Sequence, residues 1–282
     1  MKLKQAYLYG VDKIKEVGVE NPGLESSLLL SNILGVNKSE IYIHPEREID
    51  SEDVERFKRI LKRRSNREPI SYILGHSEFY SRGFVVSRDV LVPRPETELL
   101  VEEALRAASG LYSPRIIDVG TGSGCIAITI CGEKRDSRVF ATDISYDALR
   151  IARLNAKING VEKDINFLCA DFLGCFKRGF FDIVVSNPPY ISDSDLALID
   201  SDVRDFEPNR AISGGKDGLY CVRSIVKGSL IVLKNGGWCI LEIGHDQEQR
   251  VIEIFRQTGF REISLTKDLS AVNRVIKARW IA

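Results

Sequence analysis

The stretch RIIDVGTGSGCIAITI, residues 115–130, states the fold most clearly. Arg115 to Val119 form a short apolar run of strand type, and Ile126 to Ile130 open a helix. Between them Gly120, Gly122 and Gly124 alternate with Thr121 and Ser123, a turn that only glycine-rich backbone makes easily. A strand, a glycine turn and a helix in direct succession begin an α/β layer. The same alternation continues outward. Strands are expected over 138–143, 165–170, 181–186, 238–243, 262–266 and 275–280, and helices over 99–108, 148–158 and 219–233. With 115–119 this makes a seven-stranded α/β sheet. Short strands separated by helices imply a parallel sheet covered on both faces. Ligands of such sheets bind outside the carboxyl ends of the strands, where strand order reverses.

Toward the N-terminus the pattern changes. Leu3, Ala6, Tyr7, Ile14 and Val17 recur at near-helical spacing. Asn21 suits an N-cap and Pro22 a first helical position, so a second helix is expected through Leu24 to Leu34, ended by Gly35. A third begins near Asp50 or Ser51 and runs to Arg64. No strand pattern occurs here, so residues 1–70 read as a small helical domain. The last helix and its exit carry Arg56, Lys58, Arg59, Lys62, Arg63, Arg64 and Arg67 with no acid among them. This is either a solvated face or a docking surface for an acidic or RNA-bearing partner. Residues 71–98 include EFYSRGFVVSRDVLVPRPETE, which alternates apolar and polar residues around Gly83 and Asp89. They read as a β-hairpin and a Pro-broken linker, with the sheet domain following over 99–282.

Composition excludes several classes. Forty Lys and Arg balance 40 Asp and Glu, so no global charge draws the chain to nucleic acid or an anionic membrane. No uncharged apolar run is long enough to span a bilayer, and the charged N-terminus lacks a signal-peptide core. Cys125, Cys131, Cys169, Cys175, Cys221 and Cys239 contain no C-x-x-C pair and are expected to be buried, reduced thiols of a cytoplasmic protein. His44, His76 and His245 show no metal-ligand spacing, so no metal is expected.

Four strand ends carry candidate chemistry. In Gly120 to Gly124 the third glycine comes one residue earlier than in the dinucleotide fingerprint. That spacing favours a ligand without a pyrophosphate, and S-adenosyl-L-methionine fits. Asp143 ends the second strand, where an acid accepts from both ribose hydroxyls. Asp171 and Phe172 follow the third strand; they are either a turn residue and a core aromatic, or an acceptor for an adenine amine and a cover for its ring. Asn187-Pro188-Pro189-Tyr190 follows the fourth strand. Two prolines stiffen the loop and remove two N–H donors, so it presents acceptors. The Asn187 side-chain oxygen and the Pro188 carbonyl suit the two hydrogens of an –NH2 group, and Tyr190 offers a flat face to a planar acceptor.

NPPY after the fourth strand and GTGSG after the first resemble the methyltransferases that act on amino nitrogens of planar groups. Glu68 to Gly75 with Glu78-Phe79, Val92 to Glu98, Phe206-Glu207-Pro208 and Gly214 to Leu219 narrow the resemblance to the release-factor glutamine methyltransferases. It covers nearly the whole chain. The resemblance implies a Rossmann-like class I methyltransferase sheet with a helical N-terminal domain joined by the hairpin. It implies S-adenosyl-L-methionine as cofactor, with Gly120, Thr121, Gly122, Ser123, Gly124, Asp143, Phe172 and Asn187 at its site. It implies that Asn187, Pro188, Pro189 and Tyr190 hold the glutamine of the Gly-Gly-Gln loop of class I peptide chain release factors, with Asn187, Pro188 and Tyr190 catalytic. Phe172 stands where relatives often carry Trp. A glutamine methyltransferase of a large-subunit ribosomal protein shares NPPY. A nucleic-acid adenine methyltransferase would need a basic cleft, which the neutral charge disfavours, so no nucleic-acid substrate and no membrane partner are expected.

Overall fold

The computed structural model describes residues 1–281. They form two compact units, one of residues 1–75 with Asp200–Phe206, the other of residues 76–199 with the chain from Glu207 onward.

The first unit is helical, as its periodicity predicts. It contains α1 (Leu3–Lys15), α2 (Pro22–Leu34), α3 (Lys38–Ile43), α4 (Ser51–Ser65) and α5 (Ile70–Leu74). Leu3, Ala6, Ile14, Leu29, Leu30, Phe57 and Leu61 meet in its core. Pro22 opens α2, and Gly35 closes it in the left-handed conformation, φ 63°. The helices α3 and α5 leave no signal in the sequence, because five or six residues are too few to show a periodic face. The basic run of α4 finds acids outside the run. Arg56 pairs with Asp53, Lys58 with Glu55 and Arg63 with Glu68. Arg64 is buried between Glu25 and Asp202, at 2.6 and 2.8 Å.

The second unit starts with the hairpin β1 (His76–Phe79) and β2 (Arg82–Val85). Its turn falls at Tyr80 and Ser81, both at positive φ, and not at Gly83 or Asp89. Phe79 and Phe84 anchor the hairpin in the core below it, and that burial sets the register. After a 3-10 turn (Pro95–Thr97) come α6 (Glu98–Ala108), β3 (Arg115–Val119), α7 (Cys125–Glu133), β4 (Arg138–Asp143), α8 (Tyr146–Ile158), β5 (Ile165–Cys169) and β6 (Phe181–Ser186). The short α9 (Ser201–Arg204) belongs to the helical unit. α10 (Asn209–Ile212), α11 (Tyr220–Val232), β7 (Leu233–Glu242), α12 (Glu248–Gln257), β8 (Arg261–Lys267) and β9 (Asn273–Arg279) follow in the sheet unit.

The seven strands lie in the order β5-β4-β3-β6-β7-β9-β8. The sheet is not wholly parallel: β9 runs against both neighbours, because β8 returns directly into it and no helix is available to carry it back. Alternate residues of β3 feed opposite faces, Ile116 one core and Ile117 and Val119 the other. Strand order reverses between β3 and β6, which places the switch point beside the glycine turn. Cys125, Cys131 and Cys239 are buried, but Cys169 and Cys175 are exposed, contrary to the expectation. Cys169 ends the edge strand β5, which has a neighbour on one side only. Among the described residues no helix is long and apolar enough to cross a membrane, and no cluster of three potential metal ligands occurs.

Candidate functional site

The carboxyl ends of β3, β4, β5 and β6 open into one cavity of about 710 Å³, within the range of small-ligand sites. Gly120, Thr121, Gly122 and Ser123 form one wall; Asp143, Asp171, Phe172, Asn187, Pro188 and Pro189 line the rest. Gly124 and Tyr190, also expected at the site, do not line it. A Cβ at Gly124 would lie 2.9 Å from Ile128 Cδ1 and 3.1 Å from Ala152 Cβ. Gly124 therefore lets α7 and α8 pack closely.

The glycine turn supplies room more than donors. The N–H groups of Gly120 and Thr121 both donate to the Thr142 carbonyl at 2.8 Å. The Gly122 N–H donates to Asp143 Oδ2 at 2.9 Å. On the open side of Gly120 and Gly122 a Cβ would meet nothing within 4 Å. Beneath the turn, Thr121 Oγ1 donates to Asp118 Oδ2 at 2.6 Å, and full burial pushes the Asp118 carboxyl up to about 7. Asp143 also accepts from the Ser145 N–H at 2.8 Å, and burial raises its carboxyl above the usual range. Phe172 holds φ +50°, a region side chains seldom adopt, and its ring meets Tyr220 edge-on at 6.1 Å.

The Asn187–Tyr190 loop is braced from three sides. Asn187 Nδ2 donates to Thr97 Oγ1 at 3.1 Å. Gln247 Nε2 donates to the Tyr190 carbonyl at 2.9 Å and to the Gly218 carbonyl at 3.3 Å. Gly214 and Gly218 lie so near the loop that a Cβ on either would collide with a carbonyl oxygen, Pro189 at 2.8 Å or Tyr190 at 2.4 Å. That approach explains Gly214 and Gly218 in the segment from Gly214 to Leu219. Among the described residues, neither Asn187 Oδ1 nor the Pro188 carbonyl takes a hydrogen bond from the chain. Two acceptors thus stand free beside the glycine turn. Burial raises the Tyr190 phenol, whose ring packs near Gly244.

Arg94 and Glu207 tie two of the resembling segments together. Arg94 Nη2 donates to both oxygens of the buried Glu207 at 2.7 Å. Sequence reasoning placed both segments but no contact between them. It also missed Thr97, Glu242 and Gln247. One signal was present: Glu242 ends its strand as Asp143 does, an acid at the ligand-facing edge of the sheet.

Comparison with known proteins agrees with this geometry. Residues 5–75 match the family profile of the PrmC N-terminal domain, and residues 85–201 that of the methyltransferase small domain. A release factor glutamine methyltransferase of Koribacter versatilis is 38% identical, covering 99% of each chain. One from Caulobacter vibrioides is 37% identical, over 98% of this chain and 96% of that protein. In fold, the catalytic domain of hMettl16 is similar at a TM-score of 0.60 and 16% identity, covering 83% of each chain. A methyltransferase from Pyrococcus furiosus is similar at 0.53 and 14%, over 72% of this chain and 91% of that one. Full-length identity at this level, on a class I methyltransferase sheet with NPPY at its switch point, places the chain in the release factor glutamine methyltransferase family.

Proposed function

We propose that this enzyme methylates the side-chain amide nitrogen of the glutamine in the Gly-Gly-Gln loop of class I peptide chain release factors, with S-adenosyl-L-methionine as donor. The observation that carries the reading is the pair of free acceptors, Asn187 Oδ1 and the Pro188 carbonyl, lining one cavity with the glycine turn. The cavity fits the donor molecule. Gly120 and Gly122 border open space, Asp143 stands at the end of β4 for ribose hydroxyls, and Asp171 and Phe172 suit an adenine amine and ring. When bound, S-adenosyl-L-methionine supplies an electrophilic methyl group on a sulfonium.

The chain's own residues deal with a poor nucleophile. An amide lone pair is delocalised into its carbonyl. Asn187 Oδ1 and the Pro188 carbonyl accept the two N–H hydrogens, polarise the nitrogen and fix its direction. Preorganised groups of this kind are worth about 2.7–4 kcal/mol each at a reacting centre. Holding both reactants in one cavity contributes on the order of 7–11 kcal/mol. As the methyl–sulfonium bond breaks and the carbon–nitrogen bond forms, the nitrogen gives up one of its two protons to water; positioning needs no general base, and none stands in the loop. Pro189 keeps the loop rigid, and Tyr190, behind the lining, supports it. The helical unit is proposed to dock the release factor. Free thiols suit the reducing cytoplasm, where this substrate works.

The test is incubation of the enzyme with methyl-labelled cofactor and purified release factor, followed by mapping of the label. Label on the loop glutamine is expected, with none on a release factor whose glutamine is changed to glutamate, which lacks the two N–H hydrogens. Label confined to a ribosomal protein or to adenine in RNA would overturn the reading.

A further inference from the structure

From the cavity wall, which Asn187 and Thr97 both line, a short polar chain runs inward through three separate elements. Asn187 Nδ2 donates to Thr97 Oγ1 at 3.1 Å. Thr97 Oγ1 donates in turn to Glu242 Oε2 at 2.7 Å. Thr97 belongs to the 3-10 turn before α6, Asn187 to the loop after β6, and Glu242 to the end of β7. Thr97 is 2% exposed and Glu242 3%, so water does not substitute for either partner.

The direction of this chain has a chemical consequence. A hydroxyl has one hydrogen. Thr97 gives that hydrogen to Glu242, and its oxygen is left able only to accept. Asn187 must then turn its NH2 toward Thr97 and its Oδ1 away, into the cavity. The opposite flip would set Asn187 Oδ1 against Thr97 Oγ1, acceptor against acceptor, with no hydrogen between them.

We propose that Thr97 and Glu242 are positioning residues that set the orientation of the Asn187 amide, so that its oxygen faces the nitrogen to be methylated. This rests on the reading of Asn187 given above. Neither residue needs to touch the reacting atoms; each acts through Asn187. Burial, which pushes the Glu242 carboxyl up to about 7, reflects how little solvent reaches the far end of the chain.

Single-turnover rates at saturating cofactor and release factor test it, at pH 8, where the Glu242 carboxyl is mostly ionised. Thr97→Val keeps the shape and removes the hydroxyl; its rate is expected to fall by about tenfold or more, while both binding constants stay within about threefold. Thr97→Ser restores the hydroxyl and is expected to recover most of the rate. In an Asn187→Ala background, Thr97→Val should cause no further loss, because the group it orients is gone. A Thr97→Val rate within about twofold of the unmodified enzyme, or an equal loss in both backgrounds, would overturn the proposal. An Asn187→Ala enzyme with near-normal rate overturns the reading of Asn187 itself, and this inference with it. Should Thr97→Val fail to fold, Glu242→Leu, which cannot accept the Thr97 hydroxyl, is read by the same cycle: loss suppressed by Asn187→Ala supports the chain, and no loss or an equal loss in both backgrounds sinks it.

Discussion

Gly218 approaches the backbone of Tyr190 so closely that a Cβ there would stand 2.4 Å from the Tyr190 carbonyl oxygen. Gly218 also holds φ +73°, in the left-handed region. Gly218→Ala therefore combines a collision with backbone strain. It should destabilise the protein by about 2 kcal/mol or more and displace the Asn187–Tyr190 loop. Urea denaturation and kcat measured together check this; an Ala variant with unchanged stability would show that the loop gives way freely.

Glu242 sets a pH dependence of stability. Its carboxyl is pushed by burial from 4.5 up to about 7. The folded protein therefore keeps a proton that the unfolded chain has released. Stability from this group is full below about 4.5, falls as pH rises to about 7, and is level above. Glu242→Gln cannot ionise. Relative to the unmodified protein it should gain on the order of 3 kcal/mol across that window, because a tenfold change in proton affinity is worth about 1.4 kcal/mol. Denaturation curves at pH 5, 6, 7 and 8 measure the difference, and a gap that does not change with pH refutes the assignment. Asp118 titrates in the same range but is common to both proteins and cancels.

Asp143 is both a wall of the cavity and the acceptor that holds the Gly122 N–H. Asp143→Ala removes the acceptor proposed for ribose hydroxyls and the one that holds the Gly122 N–H. Affinity for S-adenosyl-L-methionine should fall by about 1–3 kcal/mol. Calorimetry reads this directly, and an unchanged dissociation constant removes Asp143 from the site.

Arg64 lies buried against Glu25 and Asp202 within the helical unit. Arg64→Ala leaves Glu25 without its partner and Asp202 with Arg67 alone, at 2.8 Å. The expected loss is about 2–3 kcal/mol, below the roughly 3–5 kcal/mol of a fully buried pair because Glu25 and Asp202 keep some contact with water. Arg59→Ala, on the exposed side of the same helix, is the contrast and should change stability by less than about 0.5 kcal/mol. Equal effects in thermal melts would show that the ion pairs contribute nothing specific.

Much of the lining of the candidate site is legible in the sequence. Gly120 to Ser123, Asp143, Phe172 and Asn187 to Pro189 all follow expected strands, and all line the same cavity. They are legible because the carboxyl ends of neighbouring parallel strands must converge, whatever the details of packing. Gly124 and Tyr190 belong to the same motifs and yet do not line that cavity. A motif records which residues are adjacent in the chain; it does not record which way each one points.

Local chemistry dictates the strands, the longer helices other than α12, which is not among those expected, the glycine turn and the acceptor loop. Those follow from period, apolar runs and the conformational limits of glycine and proline, all of which act over a few residues. The meeting of Thr97 with Glu242, 145 positions away, and of Arg94 with Glu207, 113 positions away, has no such local cause. Neither has the reversal of β9 or the membership of Asp200–Phe206 in the helical unit. Such features depend on where distant segments come to rest when their apolar faces are buried together, and a buried polar group then takes whichever partner that packing leaves within hydrogen-bond reach.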